Sequence, residues 1–296
     1  MKISSPITWI GGKARLLKHI LPLLEPSPGE LVYGEPFGGS GVVLLNKNPH
    51  PSEVYNDLNG DLVNLFRVLR DPDGCVHLWW ELVNTPVARE EFRDAVHQKY
   101  SPENPVKRAA AFVIACRQQF GGAKPDSKPS DRNWGTARGE SRGMNDCVAR
   151  WLSVMLGLPN VHRRLATVVI DQQDAIRFIK QWDTPSTLFY CDPPYINTEA
   201  YYKTGFDLKA HEALAVALNE AKARIVLSYY DHELVDRLYP ESRWQRKRIK
   251  TQTTTCGHFA RDPANATQIR KKANTARTEL ILTNFDQVTR KKFNEE

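Results

Sequence analysis

The chain of 296 residues has little that would tie it to a metal, a disulfide framework or a membrane. Its five cysteines (Cys75, Cys116, Cys147, Cys191 and Cys256) are odd in number and widely scattered. No Cys-x-x-Cys pair and no His-Glu-x-x-His string occurs, so neither a disulfide scaffold nor a zinc site is expected. Cys256-Gly257-His258 is the nearest approach to a metal pair and reads as chance; no bound metal is expected. The amino terminus lacks the apolar core of a secretory signal, and no hydrophobic run approaches membrane-spanning length. Internal repeats and low-complexity tracts are absent as well. These absences leave a cytoplasmic chain with no membrane partner.

What is present is ordinary in bulk. A hydrophobic fraction of 41% and a charged fraction of 25% are those of a soluble globular protein. The length suits one large α/β domain or a domain carrying an insertion. The net charge of +7 favours a polyanionic partner, although charge alone does not establish one.

Residues 187–195, Thr-Leu-Phe-Tyr-Cys-Asp-Pro-Pro-Tyr, organise the chain. Leu188 to Cys191 is a short apolar, partly aromatic run, the pattern of a buried strand. It must stop at Asp192, because Pro193 and Pro194 cannot donate to a sheet ladder and stiffen the turn. A carboxylate, the Pro193 carbonyl and the Tyr195 ring are thereby held at the carboxyl end of a strand, where open α/β sheets bind ligands. The exocyclic nitrogen of adenine is a poor nucleophile because its lone pair is delocalised into the ring. Two acceptors that take its N–H bonds favour a pyramidal nitrogen, and an aromatic plate fixes the base plane. A strand that merely ends in a proline turn explains the four residues equally well.

The rest of the chain is read in order. Trp9 and the string Gly11-Gly12-Lys13 lead into residues 14–24, whose leucines and isoleucine recur at helical spacing. Residues 31–34 read as a strand running into Glu35-Pro36-Phe37-Gly38-Gly39-Ser40-Gly41, with an apolar helix expected from about Val42. Glycines there permit a tight turn and close approach of a ligand. Residues 53–57 read as the next strand. Asp57 at its end is placed to accept from ribose hydroxyls, or else to cap the turn before Asn59-Gly60-Asp61. From about residue 67 to 165 the strand–helix alternation lapses. Helical patterns stand out there at 77–83, 106–117 and 151–156. Between them, residues 121–143 are rich in Gly, Pro, Ser, Lys and Arg and are expected to be a loop or partly disordered, with Trp134 as their large aromatic. A strand is expected at 166–170, followed by Asp174 as a helix cap. Tyr201, Tyr202 and Phe206 lie where a loop could close over the site, or could equally anchor it. A helix is expected over 207–222, a buried strand over 224–230, and an antiparallel pair over 243–250 and 278–285. The polar loop between that pair carries Arg270-Lys271-Lys272.

The Asp192-Pro193-Pro194-Tyr195 turn, together with Trp9 to Lys13 and Glu35 to Gly41, resembles the S-adenosyl-L-methionine-dependent DNA adenine N6-methyltransferases of the Dam-like group (class D12, alpha-group). The resemblance implies an α/β fold: a methyltransferase-type, Rossmann-like three-layer sandwich, mostly parallel with an antiparallel edge strand. It assigns residues 1–66 and 166–296 to a catalytic domain that binds the methyl donor, and residues 67–165 to an inserted, mainly helical target-recognition subdomain. Donor contacts are then expected from Trp9, Lys13, Glu35, Phe37, Gly38, Gly39, Ser40, Gly41, Asp57, Leu58, Asp174 and Asp192. Asp192, Pro193, Pro194 and Tyr195 would be catalytic, and Asp174 would accept from the donor's adenine. DNA contacts are expected from Arg117, Lys124, Lys128, Arg132, Trp134, Arg138, Arg142, Arg270, Lys271 and Lys272. Arg117-Gln-Gln-Phe-Gly-Gly122 departs from the family's Phe-Asn-Gly, which leaves the recognised sequence open. The implied reaction is methylation of N6 on an adenine flipped out of double-stranded DNA. Competing readings are an adenine methyltransferase acting on RNA and a catalytically inactive DNA-binding relative. A glutamine or small-molecule methyltransferase is less consistent, because such enzymes usually carry Asn at the position of Asp192. A monomer in a bacterial or phage-infected cell is expected, with a cognate restriction endonuclease as a conceivable partner.

Overall fold

The computed structural model describes residues 2–9, 11–97, 104–119, 134–135, 139–196, 206–252 and 276–286. Its centre is a seven-stranded sheet in the order β5-β2-β1-β6-β7-β9-β8. The strands are β1 (Val32–Glu35), β2 (Ser52–Asn56), β5 (Val168–Asp171), β6 (Thr187–Cys191), β7 (Arg224–Tyr230), β8 (Gln245–Gln252) and β9 (Ala276–Thr283). The first five run parallel, and β9 runs antiparallel between β7 and β8. β6 is buried at every position, as expected for a strand covered on both faces. A separate hairpin pairs β3 (Glu140–Ser141) with β4 (Met144–Asn145).

Two hydrophobic clusters make this a three-layer structure. On one face α2 (Gly60–Arg70), α3 (Pro72–Val83), α5 (Pro105–Gln118) and α6 (Asp146–Leu165) pack over Tyr33, Tyr55 and Leu188. On the other, α7 (Ala175–Trp182), α8 (Leu208–Glu220) and α9 (Glu233–Leu238) pack over Val54, Phe189 and Ile225. The helices of the interval 67–165 thus share one continuous core with the first face of the sheet.

Caps fix where most helices begin. Asn59, Asp71, Asn104, Asn145, Asp174 and Asp207 each accept from backbone N–H groups of the first turn. The expected helix over 14–24 is replaced by a 3₁₀ turn (Lys13–Arg15), one α-turn, α1 (Leu17–Ile20), and a second 3₁₀ turn (Leu21–Leu23). Pro22 cannot donate, so the pattern of buried leucines survives while the helix breaks. No helix starts at Val42 either. Residues 42–47 form turns, and the Asn46 side chain takes the Val42 carbonyl at 2.8 Å, competing with a continuing helix. The 151–156 pattern belongs to the longer α6, which runs through Pro159 on its exposed side. α4 (Arg89–His97) gives no clear sequence signal, because only Phe92 and Ala95 are buried on a charged helix.

Candidate active site

From β1 the chain winds outward to β2 and β5 on one side, while β6 and β7 lie on the other. The reversal makes the carboxyl ends of β1 and β6 a topological switch point, the place where open α/β sheets bind ligands. The glycine-rich loop leaves β1 there and is stitched to the end of β2. Gly38 N–H donates to the Asn56 carbonyl at 2.7 Å, Gly39 N–H to Asp57 Oδ2 at 2.8 Å, and the Tyr55 hydroxyl to the Gly39 carbonyl at 2.7 Å. Two of the glycines are conformationally required: Gly39 and Gly41 have φ of 50° and 64°, in the left-handed region. Gly38 is required sterically, since a Cβ there would sit 2.1 Å from the Tyr55 ring.

The amino-terminal segment closes on this loop. The Trp9 indole lies 3.5 Å from the position a Gly39 Cβ would take, and the Ser5 hydroxyl donates to the carbonyl of buried Ser40 at 2.8 Å. Phe37 meets Phe206 edge-on at 5.7 Å, which puts Phe206 beside the loop; Tyr201 and Tyr202 lie outside the described residues.

Lys13 joins the loop region to the proline turn. Its ammonium is 2.7 Å from Asp192 Oδ2, donates to the Gly11 carbonyl at 2.8 Å, and sits 4.7 Å above the Tyr195 ring. Burial pushes the Asp192 carboxyl above the usual range, and the Lys13 charge opposes that shift. Asp192 Oδ1 is enclosed and has no hydrogen-bond partner among the described residues. Pro193 is buried and Pro194 half-buried. Tyr195 is packed among other aromatic rings. Its ring is 7% exposed, with Tyr230 edge-on at 4.3 Å and Tyr229 at 5.7 Å, and its hydroxyl donates to Glu279 at 3.0 Å.

Glu35 is buried beneath the loop and accepts from the Tyr33 hydroxyl at 2.6 Å. Burial pushes its carboxyl up to about 8, against the Tyr33 hydrogen bond and the Lys47 charge, so it is largely protonated at neutral pH. Below it lies an ionic cluster: Glu53 takes Lys47 Nζ at 2.5 Å and both Arg164 N–H groups at 2.5 and 2.9 Å.

Asp57 is half-buried at the end of β2. Besides Gly39 it accepts from Asn59 N–H at 2.8 Å, so its turn role is real, while ionised oxygens retain further acceptor capacity. Leu58 beside it is 52% exposed. Asp174 is exposed and caps α7, accepting from Ile176 and Arg177 N–H at 3.0 Å each. Sequence reasoning missed Asn56, which is fully buried and ties three strand ends together. It donates to the Pro36 and Gln173 carbonyls at 2.9 and 3.0 Å and accepts from Gln173 N–H at 2.9 Å. A polar residue closing an apolar strand was the available signal.

Among the expected DNA contacts, Arg117 is turned toward the amino-terminal segment. Its guanidinium donates to the Pro6 carbonyl at 2.8 Å, to Thr8 Oγ1 at 3.3 Å and to the Ser5 carbonyl, clamping α5 to the amino-terminal segment. Burial lowers its pKa to about 10. Trp134 packs against Arg89, whose guanidinium carbon is 4.8 Å from the ring. Arg142 is exposed at the tip of the β3–β4 hairpin with φ 56°, its guanidinium bonded to Ser153 at 3.2 Å. Lys124, Lys128, Arg132, Arg138, Arg270, Lys271 and Lys272 lie outside the described residues. Among the described residues no group of three or more metal-ligating side chains converges, and no helix is long and apolar enough to cross a membrane.

A parallel sheet with a glycine-rich loop after β1, an acid after β2 and an acidic proline turn after β6 defines an enzyme of the methyltransferase class. The chain belongs to the D12 class N6 adenine-specific DNA methyltransferase family, which matches residues 9–255. It is 24% identical over 246 residues to the Retron Ec67 DNA adenine methylase of Escherichia coli, spanning 80% of this chain and 81% of that protein. It is 32% identical over 124 residues to the Type II methyltransferase M1.LlaDCHI of Lactococcus lactis subsp. cremoris, covering 38% of this chain and 40% of that one. Among solved structures, the rRNA methyltransferase aviRa from Streptomyces viridochromogenes aligns over 92% of this chain and 84% of its own, at 11% identity and a TM-score of 0.37. This protein is an adenine-specific DNA methyltransferase.

Proposed function

We propose that the enzyme takes its methyl group from S-adenosyl-L-methionine and delivers it to the N6 of an adenine flipped from duplex DNA into the crevice beside Asp192. The observation that carries this reading is the buried Asp192 Oδ1, a carboxylate oxygen with no hydrogen-bond partner among the described residues, beside a Lys13-bound Oδ2. An enclosed acceptor calls for an N–H donor, and the exocyclic amine of adenine supplies one. Asp192 and the Pro193 carbonyl hold the amine, and Tyr195 forms the aromatic wall of the base pocket once the base displaces the Lys13 ammonium from above its ring. The residues present suit the donor. Asp57 offers the ribose an acceptor, exposed Leu58 offers the donor's base an apolar surface, and Gly38 to Gly41 allow close approach to the backbone. When bound, the donor supplies an electrophilic methyl on a sulfonium, and no metal enters the reaction.

Residues 1–66 and 166–296 form the catalytic part in this reading, and 67–165 the recognition part. Arg142 is displayed toward DNA at its hairpin tip. Asp192→Ala is expected to abolish transfer of labelled methyl from S-adenosyl-L-methionine to duplex DNA while leaving DNA binding measurable. Retained turnover in that variant would refute the assignment, and RNA offered in parallel should accept no methyl.

A further inference from the structure

Tyr195 reaches out of the proline turn at its polar end. Its hydroxyl donates to Glu279 Oε2 at 3.0 Å across 84 residues of sequence. Glu279 lies on β9 at the register position that faces Tyr230 of β7 on one side and Ile249 of β8 on the other. The antiparallel strand therefore brings a carboxylate to the turn that closes β6. No sequence feature points to this residue, and the chemistry described above does not use it.

We propose that Glu279 is a positioning residue for methyl transfer: it fixes the rotation of the Tyr195 ring and with it the plane on which the target adenine stacks. The inference rests on the reading of Tyr195 as the wall of the base pocket. Other constraints already act on the ring, among them Lys13 above it and Tyr229 beside it. Pro193 and Pro194 stiffen the backbone before it, and Tyr230 meets it edge-on at 4.3 Å and 77°. The terminal torsion of a tyrosine is otherwise broad, so backbone stiffness alone does not set the ring plane. A hydrogen bond from the phenol to a carboxylate pins the far end, and such charge-assisted bonds are the strong ones. The phenol remains a donor throughout, because burial, followed by the Asp192 and Glu279 charges, pushes its ionisation well above the usual range. Misplacing a reacting group slightly lowers the rate without weakening binding of the methyl donor elsewhere in the crevice.

The test is a double-mutant cycle on the full chain, with labelled S-adenosyl-L-methionine and duplex DNA from a methylation-deficient host. Wild type must first place label on adenine N6. Failure there overturns the reading of the site and this inference with it. Given an active wild type, Glu279→Ala is expected to lower kcat about tenfold, with KM for the methyl donor within about twofold of wild type. Glu279→Gln, whose amide oxygen can still accept from the phenol, should recover most of that loss. Once Tyr195→Phe has removed the hydroxyl, adding Glu279→Ala should cost nothing further. If Glu279→Ala fails to fold, Glu279→Leu takes its place in the cycle. Wild-type kcat in the Glu279 variants, additive losses in the double variant, or no recovery by Gln would each overturn the role.

Discussion

Lys13 shows how much one residue can hold. Its ammonium binds the amino-terminal loop through the Gly11 carbonyl, neutralises Asp192 and lies over Tyr195. A buried ion pair stabilises little relative to apolar packing, but removing one partner strands the other charge. Asp192 already titrates above the usual carboxylate range because of burial, and Lys13 is the main influence holding it down. The sign follows directly: without Lys13 the Asp192 pKa rises further. If the ionised carboxylate is the active form, the acid limb of the kcat profile in Lys13→Met moves to higher pH, with activity partly regained at alkaline pH. A pH–rate profile of the two proteins checks this, and an unmoved limb would separate Lys13 from Asp192 function. Asp192 and Lys13 were both legible in the sequence, as members of two strings. That they form one pair was not, because 179 residues part them and only folding sets their distance.

At the scale of elements, α5 and the amino-terminal segment act as a unit through Arg117. Arg117→Ala would leave the Ser5 and Pro6 carbonyls without their donor. We expect a loss of about 2 kcal/mol in unfolding free energy, measured by denaturant titration. Because Trp9 on the same segment rests against Gly39, KM for the methyl donor should rise as well. The salt dependence of DNA binding should be unchanged; a slope of log K against log salt shallower by about 1 would restore the DNA-contact reading of this arginine. The elements differ in how legible they were. Caps and strand ends depend on neighbours within three residues, so α7, α8 and β6 stood out. The helix expected over 14–24 failed because the leucine spacing is a burial signal, satisfied equally by short turns around Pro22. α4 escaped because its periodic apolar face is narrow, only Phe92 and Ala95, and is outweighed by the charged residues around it.

For the molecule as a whole, the crevice draws on both ends of the chain. Lys13, the loop from Glu35, Asp57, Asp174 and Asp192 all sit at the carboxyl edge of one sheet, so the methyl donor should bind the native state and not the unfolded chain. At a concentration about 100-fold above Kd that is worth about 2.7 kcal/mol, or a rise in Tm of about 5 °C or more for a chain this size. Differential scanning with S-adenosyl-L-methionine should show it. Asp57→Ala, which removes the ribose acceptor and frees Gly39 N–H, should abolish it. An undiminished shift in that variant would move the donor away from the end of β2.

The amino-acid order alone determined the central strands, the glycine loop, the proline turn and the Asp174 cap, because each depends on steric limits and hydrogen bonds between near neighbours. Only the tertiary structure decided which polar groups meet. Asn56 joins Gln173 across 117 residues, Arg117 reaches Pro6 across 111, and Glu279 finds Tyr195 across 84. Such partners leave no local trace, since a buried polar atom requires a partner but its sequence neighbours do not specify which one. The tertiary structure also turned Tyr195 inward, against Tyr230 and beneath Lys13.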